Sequence, residues 1–314
     1  MTERTLRLGS RKSPMAIVQS ELVAALITER TGRPVEMVGV TTLGDVSRAQ
    51  LTQIGGTGVF VSALREALLS GEVDLAVHSL KDLPAGAAPG ITLAAVPPRD
   101  DPRDALVARD GAKLADLPPG ARIGTGSPRR AAQLLAIRGD LQTVPIRGNA
   151  GTRLRQVTDG ELDGVVLAAA GLARIGQQNA ISQVFEPDEM LPAPGQGALA
   201  VECRDDDPEL AGLLAAVNDE ASMAAAVAER SLLEALAAGC SAPVGGYAAG
   251  TGQLLMRAAV LSPDGTRALR AHGSAPAADA RRLGQDLAAE LLRRGASDFL
   301  SGPNGPTNSG NDVQ

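Results

Sequence analysis

Hydrophobic residues along this chain repeat with two spacings, and the spacings take turns. Residues 6–9 form a short extended run, and Ser13-Pro14 then supplies an N-cap and a first-turn proline, which together open a helix. Helical spacing continues to about residue 30. Residues 35–41 alternate as a strand does, and residues 55–58 (Gly-Gly-Thr-Gly) read as a flexible turn. Residues 60–70 return to helical spacing up to Gly71, and residues 73–78 are the unbroken apolar run of a buried strand. Lys81 and Asp82 fall just past its carboxyl end.

The same order then returns. Residues 121–125 predict a strand, Ser127-Pro128 caps a helix to about residue 137, and residues 141–145 predict a strand. Residues 152–158 start a helix closed by Gly160, and residues 165–170 predict a buried strand. Two stretches echo across the repeat: LGSRKSP with IGTGSPRR, and REALLSGEVDLAVHSL with LRQVTDGELDGVVLAAA. Strands alternating with helices predict open, mostly parallel sheets with helices on both faces, and ligands bind beyond the carboxyl ends of such strands. Two such modules would share a cleft. Prolines 97, 98 and 102 and the Gly-Pro spacing at 192–197 mark hinges, and residues 198–204 read as a strand returning to the first module. Farther on, residues 219–238 predict a helix ending at Gly239, residues 254–261 and 268–273 a strand pair, and residues 277–294 an amphipathic helix. The Gly-, Pro-, Asn- and Ser-rich tail past residue 301 reads as disordered.

Composition changes this picture in three ways. The chain has no Trp, one Tyr and three Phe, so Ala, Leu and Val must fill the cores. The net charge of -6 weighs against a nucleic-acid partner. Between residues 122 and 155, however, stand seven Arg and one acid, Asp140, so this segment is +6 and the remainder -12. A cationic stretch in an acidic protein suits a small polyanion; its bland counterpart is a solvated basic helix face. The thiols of Cys203 and Cys240 are far apart and form no CxxC, which excludes a zinc site of their own. With no apolar leader and no run of spanning length, the chain is expected to be cytoplasmic, with both thiols reduced and no membrane partner.

Three turns are suited to anions. Ser13 and Ser127 each head a helix start whose free N–H groups attract negative charge, and Arg11, Arg129 and Arg130 add forked donors. The third is the turn around Arg147, Gly148 and Arg153. Ordinary capping plus surface arginine is the structural alternative. Within HSLKD at 78–82, Asp82 could stabilise a developing cation and carry protons, with Lys81 favouring its ionised form; a plain loop Asp–Lys pair has the same sequence. His78 reads as a strand-end structural residue. Cys203 lies in an apolar strand and reads as a small hydrophobe, whereas Cys240 lies in a glycine-rich loop past a helix end, open to covalent chemistry.

These residues stand in longer motifs: RLGSRKSPMAIVQ, TTLGD, IGGTGVFV, DLAVHSLKDLP, RDDPRDAL, IGTGSPRR, IRGNAGTRL, AAAGLARIG, LPAPGQGALAVECR, AERSLLEAL and GCSAPVGGYA. In that order and spacing, over about residues 4–300, the chain resembles the porphobilinogen deaminases. The resemblance implies an α/β fold with two doubly wound domains of the type II periplasmic-binding-protein kind and a small α+β C-terminal domain. The expected divisions are residues 1–98 with 198–217, then 99–197, then 218–301, with 302–314 as the tail. It implies a monomeric transferase of tetrapyrrole (haem) biosynthesis. Four porphobilinogens would condense head to tail with loss of ammonia on a dipyrromethane primer, before water releases hydroxymethylbilane. Carried over by motif, Cys240 holds the primer through a thioether and Asp82 is the acid/base. Ser13, Ser79, Lys81, Thr125, Ser127, Arg129, Arg130, Gly148 and Arg153 hold the primer, and Arg11, Gln19, Phe60, Arg147, Arg174 and Gln196 the incoming substrate.

The chain departs from the family pattern at Gln53 and Thr57, where relatives carry lysines, at Gly126, where TGSPRR replaces a usual TSSLRR, and at Ala238, often Gly. Two other readings compete. A non-enzymatic bilobal protein for a small anion would carry no covalent adduct. An acyl or phosphate transferase using Cys240 as nucleophile would need a base, and the chain's other histidine is His272.

Overall fold

A computed structural model describes residues 4–40, 58–239 and 242–300, with side chains from residue 61 onward in the second span. The first strand, β1 (Leu6–Arg11), leads into α1 (Pro14–Thr31), where Ser13 Oγ accepts from Ala16 N and Pro14 begins the first turn. Gly32 at φ +72° closes the helix by donating its N–H to Thr28 O. The positions α1 buries, Gln19, Ser20, Val23 and Ile27, lie on one face. That face covers a sheet of order β2-β1-β3-β10-β4, formed by β2 (Val35–Val40), β3 (Leu75–Ser79), β4 (Ile91–Ala95) and β10 (Leu199–Arg204). Between β2 and β3 the described chain holds α2 (Gly58–Leu69).

The second sheet has the same plan. Its order is β7-β6-β8-β5-β9, from β5 (Asp104–Ala108), β6 (Arg122–Gly124), β7 (Gln142–Val144), β8 (Gly164–Ala168) and β9 (Gln183–Val184). Helix α3 (Pro128–Ile137) follows β6, α4 (Ala150–Thr158) follows β7, and α5 (Ala169–Arg174) follows β8. In each sheet one strand runs against the rest: β10 is antiparallel to β3 and β4, and β5 to β8 and β9. Both reversed strands follow directly on crossings between the sheets, at residues 96–103 and 185–198. Both are doubly wound, mostly parallel sheets.

The third unit sets α7 (Glu220–Ala235) and α8 (Ala280–Arg293) against an antiparallel sheet of β11 (Val244–Ala249), β12 (Gln253–Leu261) and β13 (Ala268–Pro276). Helix α6 (Pro208–Leu214) joins it to the first sheet's core. Helix α8 buries positions 280, 283, 284, 287, 288 and 291, an apolar stripe at helical spacing. The two helices cross so closely that a Cβ at Gly284 would lie 2.1 Å from Ala228 O.

Local structure departs from expectation at several points. Helix α7 stops at Ala235, because Ala237 takes the left-handed conformation (φ +49°) expected of Gly239; that costs a non-glycine residue roughly 1 kcal/mol. The run to Ala170, read as strand, turns into α5 at Ala169, since alanine favours helix over sheet. Strands β4, β5, β9 and β11 were not expected. β4, β5 and β11 each hold two or more alanine or glycine residues, which dilute a strand signal, and β9 is only two residues long. Among the described residues no single helix is long and apolar enough to cross a membrane.

Candidate active site

The carboxyl end of β3 delivers the acid. After Ser79 the chain makes one short turn, Leu80–Asp82, in which Leu80 is buried and Lys81 and Asp82 form part of a cavity wall. His78 beneath it is structural: its Nε2 lies 3.3 Å from Glu202 Oε2, and Arg65 donates to both oxygens of Glu202 at 3.0 and 2.7 Å. Burial pushes the Glu202 carboxyl up, but the bonds from His78 and Arg65 more than reverse this and hold it at about 2. Helix α7 braces the turn from the other side, where Arg230 Nη2 donates to Pro84 O and Ala85 O at 2.8 and 3.1 Å.

The second module presents cations. Ser127 caps α3 and accepts from Arg130 N, and Arg129 and Arg130 follow Pro128 in the first turn with both side chains buried. Both are already engaged within the protein. Arg129 Nη1 donates to Asp104 Oδ2 at 2.7 Å, and Arg130 Nε to Asp104 Oδ1 at 2.8 Å. Gln196, 1 % exposed, joins the modules: its Nε2 donates to Asp104 and Pro102 O, and its Oε1 accepts from Arg130 and, at 3.4 Å, from Lys81 Nζ. Burial pulls Lys81 down to about 8, helped by the charge of Arg130 and opposed by Asp82 and Asp104. Burial, with Arg130, also lowers Arg153, whose Nε donates to Gly148 O at 2.9 Å.

These groups surround a cavity of about 400 Å³, of the size that holds small molecules. Its walls are Lys81 and Asp82 from the first module; Gly126, Ser127, Arg129, Arg130 and Arg153 from the second; Ala193, Pro194 and Gln196 from the crossing; and Leu233, Gly239, Ala242 and Val244 from the third unit. Gly126 is no idle departure, because a Cβ there would lie 2.7 Å from Ile146 O.

The other described residues picked from sequence do not line this cavity. Thr125 is buried beside it and accepts from Ser127 N at 3.2 Å. Gln19 and Ser79 bond each other at 2.8 Å. Ser13 caps α1, Arg11 is half-buried on β1, and Arg147 and Gly148 are exposed. None of these seven is a wall of the cavity. Arg174 also lies outside it, pairing with Asp100 at 2.7 Å and donating to Gly197 O at 2.8 Å on the crossing strands. Cys240, Gln53 and Thr57 lie outside the described residues, as does the side chain of Phe60. Gly239 and Ala242, which flank positions 240 and 241 in the sequence, are both cavity walls. Cys203 is fully buried in the first core, and burial pushes its thiol up to about 11, so it is no nucleophile at neutral pH. His272 is exposed on β13, away from these walls, so a Cys–His mechanism has no base here.

Sequence reading missed a second buried pair. Glu229 of α7 is 0 % exposed and takes Arg99 in a two-pronged bond at 2.6 and 3.1 Å. It also accepts from Gly195 N and Ala248 N, while Arg99 Nε donates to Gln196 O. One carboxylate thus pins the third unit to both crossing strands. The available signal was an acid on the apolar face of α7, between Ala228 and Leu232.

Family models match nearly the whole chain: "Porphobilinogen deaminase, dipyromethane cofactor binding domain" over residues 6–212, and "Porphobilinogen deaminase, C-terminal domain" over residues 223–293. The chain belongs to the porphobilinogen deaminase family. A porphobilinogen deaminase of Thermobifida fusca (strain YX) is 55% identical over 96% of this chain and 97% of the relative. Porphobilinogen deaminase 1 of Streptomyces coelicolor is 53% identical over 96% and 98%, and the deaminase of Leifsonia xyli is 51% identical over 94% of each. Family membership at this level makes the chain a transferase and sets aside the non-enzymatic binder. The residues that meet at the cavity, from the 78–82 turn to Arg129 and Arg130, therefore lie in a porphobilinogen deaminase's cofactor-binding region.

Proposed function

We propose that the chain is a hydroxymethylbilane synthase that joins four porphobilinogens head to tail, each with loss of ammonia, on a dipyrromethane held by Cys240. The observation carrying this reading is the meeting of one acid turn, a cluster of cations and both flanks of position 240 at a single cavity. The residues present suit the primer. It is a carboxylate-bearing pyrrole pair, and the walls offer Lys81, Arg129, Arg130 and Arg153. Arg129 Nε is buried without an acceptor among the described residues, a donor that costs about 1–3 kcal/mol while unpaired. When bound, the primer supplies the terminal pyrrole carbon that attacks the next substrate.

The chain's own residues would do the rest. Arg129, Arg130 and Arg153 bind acetate and propionate groups and fix the rings beside Asp82. Asp82, next to Lys81, faces the pyrrole N–H groups and stabilises the cation left as ammonia departs. It then receives the proton released from the newly bonded ring carbon. A single acid serving successive additions requires the chain to shift, and the paired crossings at 96–103 and 185–198 supply a hinge. Arg11, Arg147 and Arg174, outside the cavity, are assigned to incoming substrate. The monomeric state is proposed on the same basis.

The test is turnover. Purified protein given porphobilinogen should release ammonia and hydroxymethylbilane in a four-to-one ratio. Binding of porphobilinogen without ammonia release would refute the reading.

A further inference from the structure

Asp104 is fully buried beside the cavity, and no step above uses it. It opens β5 and is not a wall of the cavity; it stands behind Arg129 and Arg130, which are. Each carboxylate oxygen takes one guanidinium, and Gln196 Nε2 adds a third bond at 2.9 Å. Carbonyl oxygens complete the frame: Leu191 O accepts from Arg129 Nη1 at 2.7 Å and Val166 O from Arg130 Nη1 at 3.1 Å. Arg129 is thereby held by one end, while its Nε has no acceptor among the described residues. Burial would raise the Asp104 carboxyl, yet the two guanidiniums bring it far below the ordinary range, so it is ionised throughout the working pH.

Two buried guanidiniums on adjacent residues repel strongly in a medium of low dielectric. A counter-ion fixed behind them settles their orientation before any ligand arrives. A carboxylate in front of them then shares the charge.

We propose that Asp104 is a positioning residue: the resident counter-ion that keeps the Arg129–Arg130 pair aimed and that shares it with a carboxylate of the bound pyrrole chain. The inference rests on the proposed function, since the primer supplies that second carboxylate. It makes Asp104 and the primer energetically coupled, which a residue serving packing alone would not be.

The experiment compares melting temperatures of the full chain as purified, Cys240→Ser, Asp104→Asn and the double variant, with loading read from intact mass. Primer loading should raise Tm in the Asp104→Asn background by about 4 °C more than in the Asp104 background. Equal increments in the two backgrounds would overturn the inference. Should Asp104→Asn fail to fold, Asp104→Glu keeps the charge and displaces it. That variant should load fully and lose roughly 10-fold in kcat with KM changed less than about 3-fold; wild-type kcat would overturn the inference. Wild-type protein without added mass would instead sink the proposed function, before Asp104 is in question.

Discussion

The two α/β modules share a strand plan and differ where that plan meets the cavity. After β3 the first module reads Ser79-Leu80-Lys81-Asp82; at the matching place after β8 the second reads Ala168-Ala169-Ala170-Gly171. At the helix starts the contrast reverses: Ser13-Pro14-Met15-Ala16 in the first module answers Ser127-Pro128-Arg129-Arg130 in the second. Within these four-residue stretches each module therefore has one charged end and one apolar end. The charged ends line the cavity. The apolar ends meet each other, since α1 contacts α5 and a Cβ at Gly171 would lie 3.8 Å from Met15 Cε. A duplicated scaffold thus yields a site with the acid on one side and the arginines on the other, and its leftover pair becomes a contact between modules.

That division of labour can be broken one end at a time. The largest effect is expected from the acid end: Asp82→Ala should retain the primer by intact mass and lose turnover by about 10³-fold, and normal turnover would remove Asp82 from the mechanism. At the arginine end, Arg129→Ala with Arg130→Ala should purify without primer, and full loading would refute the carboxylate clamp. The hinge comes next. Glu229→Gln leaves Arg99 buried without its counter-ion, so chemical denaturation should show a loss of about 3–5 kcal/mol; an unchanged midpoint would mean the pair does not hold the third unit to the crossings. A smaller effect separates Lys81 from the arginines. Because Lys81 is brought down to about 8, its charge is present below that pH and lost above it. KM for porphobilinogen should therefore rise a few-fold, roughly 3-fold, between pH 7.5 and 9, and Lys81→Arg should flatten the rise. The smallest effect belongs to the apolar pair: Met15→Arg should leave primer loading intact and raise KM about 2-fold by disturbing the contact between modules.

Much of this was legible in the residues. Ser13-Pro14 and Ser127-Pro128 marked two helix starts, and HSLKD marked the strand end, because capping and buried-strand patterns are local. The buried ion network was not legible. Asp104 sits in RDDPRDAL, a stretch rich in charge, and its burial depends on Arg129 and Arg130 some 25 residues onward. Glu229 is equally local in appearance and non-local in cause, because Arg99 lies 130 residues earlier. Sequence gave the arginines a ligand but not their resident counter-ion. Sheet-order details such as the two reversed strands also escaped, since a crossing strand carries no mark of its direction.

The proposed mechanism needs a sulfur-tethered pyrrole pair at Cys240, and trypsin separates the two cysteines cleanly. Residues 231–257 carry Cys240 and residues 175–204 carry Cys203, with no internal Lys or Arg in either peptide. Mass analysis of the purified protein and its digest should place the added mass of a dipyrromethane on residues 231–257 alone. A protein of plain sequence mass, or an adduct on residues 175–204, would contradict it.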